Sequence, residues 1–377
     1  MPQPKFTLPE LTGSLADLGT ILPFVLIAVT FTDMKLGPVL LGFGLFYILS
    51  GLIYKLPVAV EPLKVVGAII VSAGLTHGEI IGAGLFVGLF FLLIGVTGII
   101  NYIEKIFPLS LIRGVQLGLA LVLLYKGGQY IWGDLWLGLA AFAIFVGARV
   151  LNDRHSDLNF PGALVIFIIG IGYGIYRYGV PPVSPGIPLD VYLPPVAELV
   201  SGAYKAGIAQ LPLTLTNAVL ATSLLASDLF KEKVSNRKLS LTIGAANIVA
   251  TPLGGFPMCH GAGGMAAHYK FGARTGGANL MIGLIFVAVS FFATSAMLTI
   301  IPAGILGALL FFAGAELLKN AIKTDHYVIT GAMGVVTLLV DPTIGLAAGI
   351  ALYIARKAMD GLSGGKLPGV EDDVKEK

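Results

Sequence analysis

Two charged residues embedded in apolar sequence, and one glycine-rich run, are the residues best suited to chemistry. Glu61 and Lys64 lie three positions apart in LPVAVEPLKVVGA, so a helix would bring their side chains together. A second segment, Gly254–Gly277 (GGFPMCHGAGGMAAHYKFGARTGG), holds a Cys-His pair beside closely spaced glycines. Gly and Pro interrupt the hydrogen-bond ladder of a helix. These residue types predict a site that binds an anion.

The predicted anion site lies where two half-helices begin. We predict that residues 57–60 form a short strand and that Pro62 occupies the first turn of the next helix. The second segment enters from the opposite side, and its helix starts near Gly261. Each helix N-terminus carries about half a positive charge and several free N–H donors. Gly261, Gly263 and Gly264 would let a tetrahedral oxyanion touch the backbone. Glycines in such a run also serve close helix packing.

The acidic residue Glu61 predicts a link to protons. A charge at the centre of a bilayer costs at least about 2.5–3.5 kcal/mol, so an ionisable residue there is a functional hypothesis. Two helix N-termini and Lys64 supply about +2, which suits a dianion, and an ionised Glu61 lowers this to about +1. We therefore predict that Glu61 is protonated when the anion binds. The alternative is a structural ion pair between Glu61 and Lys64.

Further polar groups come from two helices that should flank the site. The first helix carries Asp17 and Thr20, and QLPLTLTNAVLATS in the second half of the chain carries Gln210, Thr214 and Asn217. Hydroxyls and amides can donate to an oxyanion without adding charge, and they also hold helices together in membranes. Asp17 would repel an anion, so we predict a scaffolding or proton-linked role for it.

The adjacent residues Cys259 and His260 do not predict catalysis. Neighbouring residues in an extended segment point to opposite faces, so these two would not act as nucleophile and base. His260 and His268 are too few and too far apart for a metal site, and no metal or other cofactor is predicted. His260 either donates to the oxyanion or is a structural histidine.

The composition predicts an all-α polytopic membrane protein. Of 377 residues, 56% are hydrophobic and 12% charged, against about 25% charged residues in soluble domains. Mean hydropathy is +0.89. The apolar runs predict fourteen segments near 12–32, 36–54, 62–75, 79–101, 108–126, 132–150, 160–178, 204–227, 238–252, 261–270, 277–300, 302–321, 326–340 and 343–358. The segments 62–75 and 261–270 are too short to span a membrane alone and are predicted strand-plus-half-helix segments.

The fourteen segments are predicted to form a 7+7 inverted repeat. Residues 1–178 form the first repeat, 179–203 a Pro-rich connector, 204–358 the second repeat and 359–377 a flexible tail. Because seven is odd, the second half must be inverted in the membrane. Inverted repeats with broken helices at matching positions are typical of secondary transporters, whose site lies at the repeat interface.

The distribution of lysine and arginine predicts that both termini are cytoplasmic. Predicted inner loops hold most of these residues, Lys105 among them, whereas the outer loops hold only Lys35, Lys126, Arg177 and Lys205. Basic residues placed as topology requires give no support for nucleic-acid binding. Three charges near predicted helix ends should reach the membrane interface: Arg113, Glu316 and Asp341.

The two motif segments resemble those of the molybdate transporter family, distant relatives of the sulfate permeases. LTGSLADLGTILP and QLPLTLTNAV resemble that family too, so the likeness spans nearly the whole chain. It implies oxyanion uptake, with molybdate as first choice, and the fourteen-segment fold shared with uracil permease. In that fold a core domain, here 12–101 plus 204–300, carries substrate past a gate domain, here 108–178 plus 302–358, as an elevator. A homodimer would be ordinary for this architecture.

The resemblance also implies site residues. The matching positions are Lys64, Cys259, His260, Gly261, Ala262, Gly263 and Gly264, with Asp17, Gln210 and Asn217 as supporting members. The family usually has Gln where this chain has Glu61, which puts the charge preference or the coupling in question. We also expect the protein to lack a STAS-type regulatory domain, which favours the molybdate branch over the sulfate branch.

The leading prediction is import of molybdate across the cytoplasmic (plasma) membrane, with protons as coupling ion. Tungstate and sulfate share its charge and shape and stay as alternatives. A nucleobase permease would need stacking and amide-reading groups instead of a glycine-rich site. An anion channel would show currents far above carrier turnover. An intramembrane enzyme would need a nucleophile–base pair, which the sequence does not offer.

Overall fold

The structure is a computed structural model that describes residues 2–100, 108–154, 162–183 and 185–362. Lys105 and most of the predicted tail 359–377 lie outside the described residues. The described chain is mostly helical and contains one two-stranded sheet.

Helices account for nearly all elements on both sides of the Pro-rich connector. Before it lie α1 (Leu8–Ser14), α2 (Leu18–Phe31), α3 (Leu36–Tyr54), β1 (Ala59–Pro62), α4 (Lys64–Ser72), α5 (His77–Thr97), α6 (Leu109–Gly133), α7 (Leu135–Arg154) and α8 (Gly162–Tyr178). After it lie α9 (Val196–Phe230), α10 (Asn236–Ala250), β2 (Met258–Gly261), α11 (Ala262–Lys270), α12 (Gly277–Ser290), α13 (Ala296–Thr299), α14 (Ala303–Ala321), α15 (Tyr327–Leu339) and α16 (Pro342–Leu362).

Five of the described helices are long and apolar enough to cross a membrane: α3, α5, α6, α9 and α14. The pair α1–α2 makes a sixth span if its two members are counted as one, with a bend of 41° between them. Helices α8, α12 and α15 are apolar but shorter. The count of fourteen segments and the inverted repeat therefore stay predictions.

Several helices differ from their predicted extents: the run predicted over 277–300 is divided into α12 and α13, and α6 continues to Gly133, beyond its predicted end at 126. The run predicted as one helix over 12–32 is divided into α1 and α2. Between them the backbone makes i→i−3 hydrogen bonds of the 3₁₀ type, which tighten the chain. Ala16 N–H donates to Gly13 O at 3.1 Å, and Leu18 N–H donates to Leu15 O at 3.2 Å. Helix α9 begins at Val196, inside the predicted connector 179–203. It also contains two wider, π-helical turns, Ala203–Gly207 and Thr214–Ala221.

Both short segments form a strand followed at once by a half-helix, and the two strands pair. Strand β1 runs antiparallel to β2, with Ala59 opposite Gly261 and Pro62 opposite Met258. The ladder continues through Leu63 N–H, which donates to Pro257 O at 2.9 Å. The predicted strand 57–60 and helix start at Pro62 were wrong by two residues. Pro62 holds Glu61 in an extended conformation, and the pairing continues through Pro62 and Leu63, so β1 extends through Pro62 and α4 begins at Lys64.

Buried asparagines hold the paired strands in place. We call the pair Ala59–Pro62 and Met258–Gly261, together with the starts of α4 and α11, the crossing. The Asn247 side chain in α10 accepts from Met258 N–H at 2.9 Å and donates to Met258 O at 2.6 Å. On the other strand, Asn279 in α12 donates to Val58 O at 2.6 Å, and the Ser50 hydroxyl donates to the same oxygen at 2.9 Å. Each strand entering the crossing is therefore tied to a helix of the surrounding bundle.

Replacing Asn247 with Ala should destabilise the fold by about 2–4 kcal/mol, because the buried N–H and C=O of Met258 would lose their partner. Thermal unfolding in detergent measures this loss as a lower melting temperature. Val249→Ala is the matched control, since Val249 lies in the same helix with 61% of its surface exposed. Equal melting temperatures for the two variants would contradict the assignment.

Candidate anion-binding site

The strand register decides which side chains share a face at the crossing. Glu61 lies opposite Cys259, and Val60 lies opposite His260. Successive residues of a strand point to opposite sides, so Glu61 and Cys259 face one way and His260 the other. Helices α4 and α11 begin directly after the paired strands, which brings their N-termini to the same place.

The Glu61 carboxylate is held by both groups that sequence analysis assigned to an anion. Its Oε1 accepts from Gly264 N–H, in the first turn of α11, at 2.8 Å. Its Oε2 lies 2.7 Å from Lys64 Nζ. The Glu61 side chain is 1% exposed, whereas that of Lys64 is 18% exposed. The chain's own carboxylate thus occupies one helix N-terminus and neutralises the lysine.

The glycines of α11 differ in what surrounds them. A Cβ at Gly261 would overlap the Glu61 carboxyl group, and a Cβ at Gly264 would overlap the Asp17 carboxyl group. A Cβ at Gly263 would approach no atom more closely than Glu61 Oε1, at 3.7 Å. Gly261 and Gly264 are therefore required by packing against carboxylates, whereas Gly263 borders open space.

That open space is a cavity of about 290 Å³ between the crossing and helices α6 and α14. Five predicted site residues line it: Thr20, Glu61, Lys64, Asn217 and Gly263. The other polar residues of the lining are Gln116, Glu316 and Asn320, and the rest of the lining is apolar or glycine. None of these three was predicted as a site residue, and Glu316 was instead expected at the membrane interface. Their polarity within apolar helices was the available signal.

The remaining predicted site residues do not line the cavity, namely Asp17, Gln210, Thr214, Cys259, His260, Gly261, Ala262 and Gly264. Gln210 caps α4, since its Oε1 accepts from Val65 N–H at 2.9 Å and its Nε2 donates to Thr214 Oγ1 at 2.9 Å. Asp17 is buried and accepts from the Tyr47 hydroxyl at 3.2 Å. Gln210 and Asp17 therefore contact the first turns of α4 and α11 on the side away from the cavity.

His260 is engaged by protein groups on both ring nitrogens. Its Nδ1 lies 3.2 Å from Ala59 O, and its Nε2 lies 2.9 Å from Thr242 Oγ1. The ring is fully buried and packs between Phe46 and Tyr54. Of the two roles left open by the sequence, the geometry matches the structural one, because the register turns His260 away from the cavity.

A larger polar cavity, of about 660 Å³, lies where α2 and α4 end and α5 begins. Its lysine, Lys205, is 2.5 Å from Glu79 Oε1, which also accepts from Ser201 at 2.6 Å. Thr76 and Glu79 cap the start of α5 reciprocally. The cation and the helix N-terminus of this cavity are bound by protein groups, as Lys64 and Gly264 N–H are by Glu61, but none of the predicted site residues lines it.

Two adjacent glycines supply a matched test of this geometry. Gly264→Ala should lower stability by about 1–3 kcal/mol through overlap with Asp17, whereas Gly263→Ala should fold normally. Melting temperature and the yield of monodisperse protein in detergent distinguish the two. If Gly263→Ala is the more damaging of the pair, the described packing of α11 is wrong.

Comparison with known proteins supports one family. The model described as "Molybdate transporter of MFS superfamily" matches residues 9–123 and 202–317. The chain is 31% identical to Molybdate transporter 1 of Arabidopsis thaliana, covering 92% of this chain and 88% of that protein. It is 28% identical to Molybdate transporter 2 of the same plant, covering 92% and 87%.

Solved structures share the fold at low sequence identity. SLC26A9 has a TM-score of 0.71 at 15% identity. The match covers 94% of this chain and 65% of the SLC26A9 chain. The transmembrane domain of the cyanobacterial bicarbonate transporter BicA has a TM-score of 0.63 at 18% identity, covering 91% and 97%. The family match extends over more than half of the sequence, and the chain belongs to the molybdate transporter family.

Proposed function

We propose that this protein is a secondary active transporter that imports molybdate across the cytoplasmic membrane. One structural observation carries the proposal: Lys64 and the start of α11 at Gly263 face the same cavity, at the N-termini of two half-helices. Relatives along nearly the whole chain are named molybdate transporters. A cation and free backbone N–H groups are the donors that a tetrahedral oxyanion accepts from.

In the proposed complex, the oxyanion lies in the cavity between Lys64 and Gly263. Thr20 and Asn217, which also line the cavity, supply neutral donors. The absence of a side chain at Gly263 lets the anion approach the first turn of α11. Gln210 and Asp17 act as supporting residues, because they orient α4 and pack against α11 without lining the cavity.

Proton coupling is proposed to act through Glu61. While Glu61 is ionised, its carboxylate forms an ion pair with Lys64 Nζ and accepts a hydrogen bond from Gly264 N–H. A proton on Glu61 cancels the ion pair, so Lys64 becomes free to bind a substrate oxygen. The substrate and the proton would then occupy the site together, as a symporter requires.

The proposed architecture is the 7+7 inverted repeat, with a core domain of 12–101 plus 204–300 and a gate domain of 108–178 plus 302–358. The two family-model matches, at 9–123 and 202–317, fall one in each proposed repeat. Helix packing supports the grouping into domains: α3 packs on α12 and α5 on α10, whereas α6 packs on α14 and α15. Elevator movement of the core, cytoplasmic termini and a homodimer complete the proposal.

A transporter of another tetrahedral dianion, tungstate or sulfate, is the second candidate. It rests on the same lysine and helix N-termini, because these groups recognise charge and shape and do not identify the central atom. An anion channel is a third candidate, which currents far above carrier turnover would reveal.

Uptake of labelled molybdate by proteoliposomes, with sulfate, tungstate and phosphate as competitors, tests the proposal directly. Wild type should accumulate molybdate, and Lys64→Gln should lose at least about 90% of uptake, because the variant lacks the cation that binds the oxyanion. Lys35→Gln, at an exposed lysine away from the cavity, is the control. Equal competition by sulfate would remove the molybdate assignment, and undiminished uptake by Lys64→Gln would remove the site.

The pH dependence of uptake tests the role of Glu61. Wild-type uptake should rise as external pH falls, because protonation frees Lys64. Glu61→Gln should transport with a flat pH profile, since the amide keeps an acceptor for Gly264 N–H but carries no charge. A pH profile in Glu61→Gln like that of wild type would show that another group carries the proton.

A further inference from the structure

The cavity has a second acidic residue on the wall that faces the crossing. Glu316 lies near the end of α14 and lines the same cavity as Glu61 and Lys64. Helix α14 packs along α6, so this wall is separate from the strands that carry the other two charges. Gln116 of α6 and Asn320 of α14 lie on the same wall.

The two acids have opposite surroundings. Glu61 is buried and bonded to a backbone N–H and a lysine. The Glu316 side chain is exposed, and within the described chain it has no hydrogen bond or ion pair of its own. The charge of Glu61 is therefore compensated within the protein, whereas the charge of Glu316 acts on whatever enters the cavity.

The charge balance of the cavity follows from three residues. Among the described residues that line it, Glu61, Lys64 and Glu316 are the charged ones, and fully ionised they sum to −1. Once Glu61 is protonated, as proposed above, Lys64 and two helix N-termini attract an oxyanion from one wall. Glu316 repels it from the other.

We propose that Glu316 determines both the charge selectivity and the release of the oxyanion. This inference rests on the proposed function of the site. A carrier has to bind its substrate strongly enough to capture it and weakly enough to let it leave. A lone carboxylate facing the bound anion weakens the binding of a dianion more than that of a monoanion, because the Coulomb energy scales with the product of the charges.

The opposite wall also holds a donor, so it does not act by repulsion alone. Arg113 Nη1 donates to Gln116 Oε1 at 2.8 Å, and its Nε donates to Lys323 O at 3.1 Å. With its oxygen engaged by Arg113, Gln116 has its Nε2 hydrogens left for the cavity. Gln116 would therefore contact an oxygen of the anion while Glu316 limits how tightly the whole ion is held.

The test compares two tetrahedral anions of similar shape and different charge, molybdate and the monoanion perrhenate. Kd is measured in detergent at low salt for wild type, Glu316→Gln and Glu316→Asp. Glu316→Gln should bind molybdate about fivefold more tightly and perrhenate about twofold more tightly, the ratio expected from their charges. Glu316→Asp should restore the weaker binding. Dissociation of molybdate should slow in proportion in Glu316→Gln.

Asp228→Asn controls for the loss of one negative charge at an exposed position that does not line the cavity. Melting temperatures verify that each variant folds. Unchanged or weaker molybdate binding in Glu316→Gln, or equal gains for both anions, would overturn this inference while leaving the proposed function standing. If wild type binds sulfate instead of molybdate, the same comparison with sulfate tests Glu316. Binding of no oxyanion by wild type would overturn both proposals.

Discussion

The antiparallel pairing of two four-residue strands is the interaction on which the rest of the structure depends. Each strand is the entry to a half-helix, and pairing Ala59–Pro62 with Met258–Gly261 fixes where both half-helices begin. Isolated extended backbone in an apolar interior would leave N–H and C=O groups without partners. The pairing satisfies those groups, and Asn247 and Asn279 complete it from neighbouring helices.

One consequence is that backbone dipoles, a lysine and two carboxylates are concentrated in a small volume. Glu61 lies at the start of α11, and Asp17 packs against Gly264 from behind. The positive ends of the half-helices make this concentration of acids tolerable. The same positive ends would attract a substrate anion, so in the proposed complex the protein's own carboxylates and the substrate would compete for one set of donors. Protonation of a carboxylate is a direct way to alter that competition.

The sequence was sufficient to locate the crossing but not to assign its faces. Proline and glycine inside apolar runs predicted both half-helices, and α11 begins within one residue of the predicted start. The two-residue shift of β1 depends on Leu63 donating to Pro257, a contact between distant segments. His260 was a candidate ligand until the register placed it against Ala59 and Thr242.

The wall of the cavity opposite the crossing was missed for a related reason. Gln116 and Glu316 come from helices that contain no motif, and they meet only because α6 and α14 pack together. Charge near a predicted helix end suggested the membrane interface for Glu316. No spacing rule connects that residue with Lys64, so only tertiary structure could bring the two to one cavity.

A structure determined with bound tungstate would test the central claim most directly, because the heavy metal scatters strongly and marks the anion without interpretation of side chains. We expect the tungsten in the cavity between Lys64 and Gly263, with Thr20, Asn217 and Gln116 around it. Tungsten in the larger polar cavity beside Lys205 and His77, with the crossing empty, would contradict it.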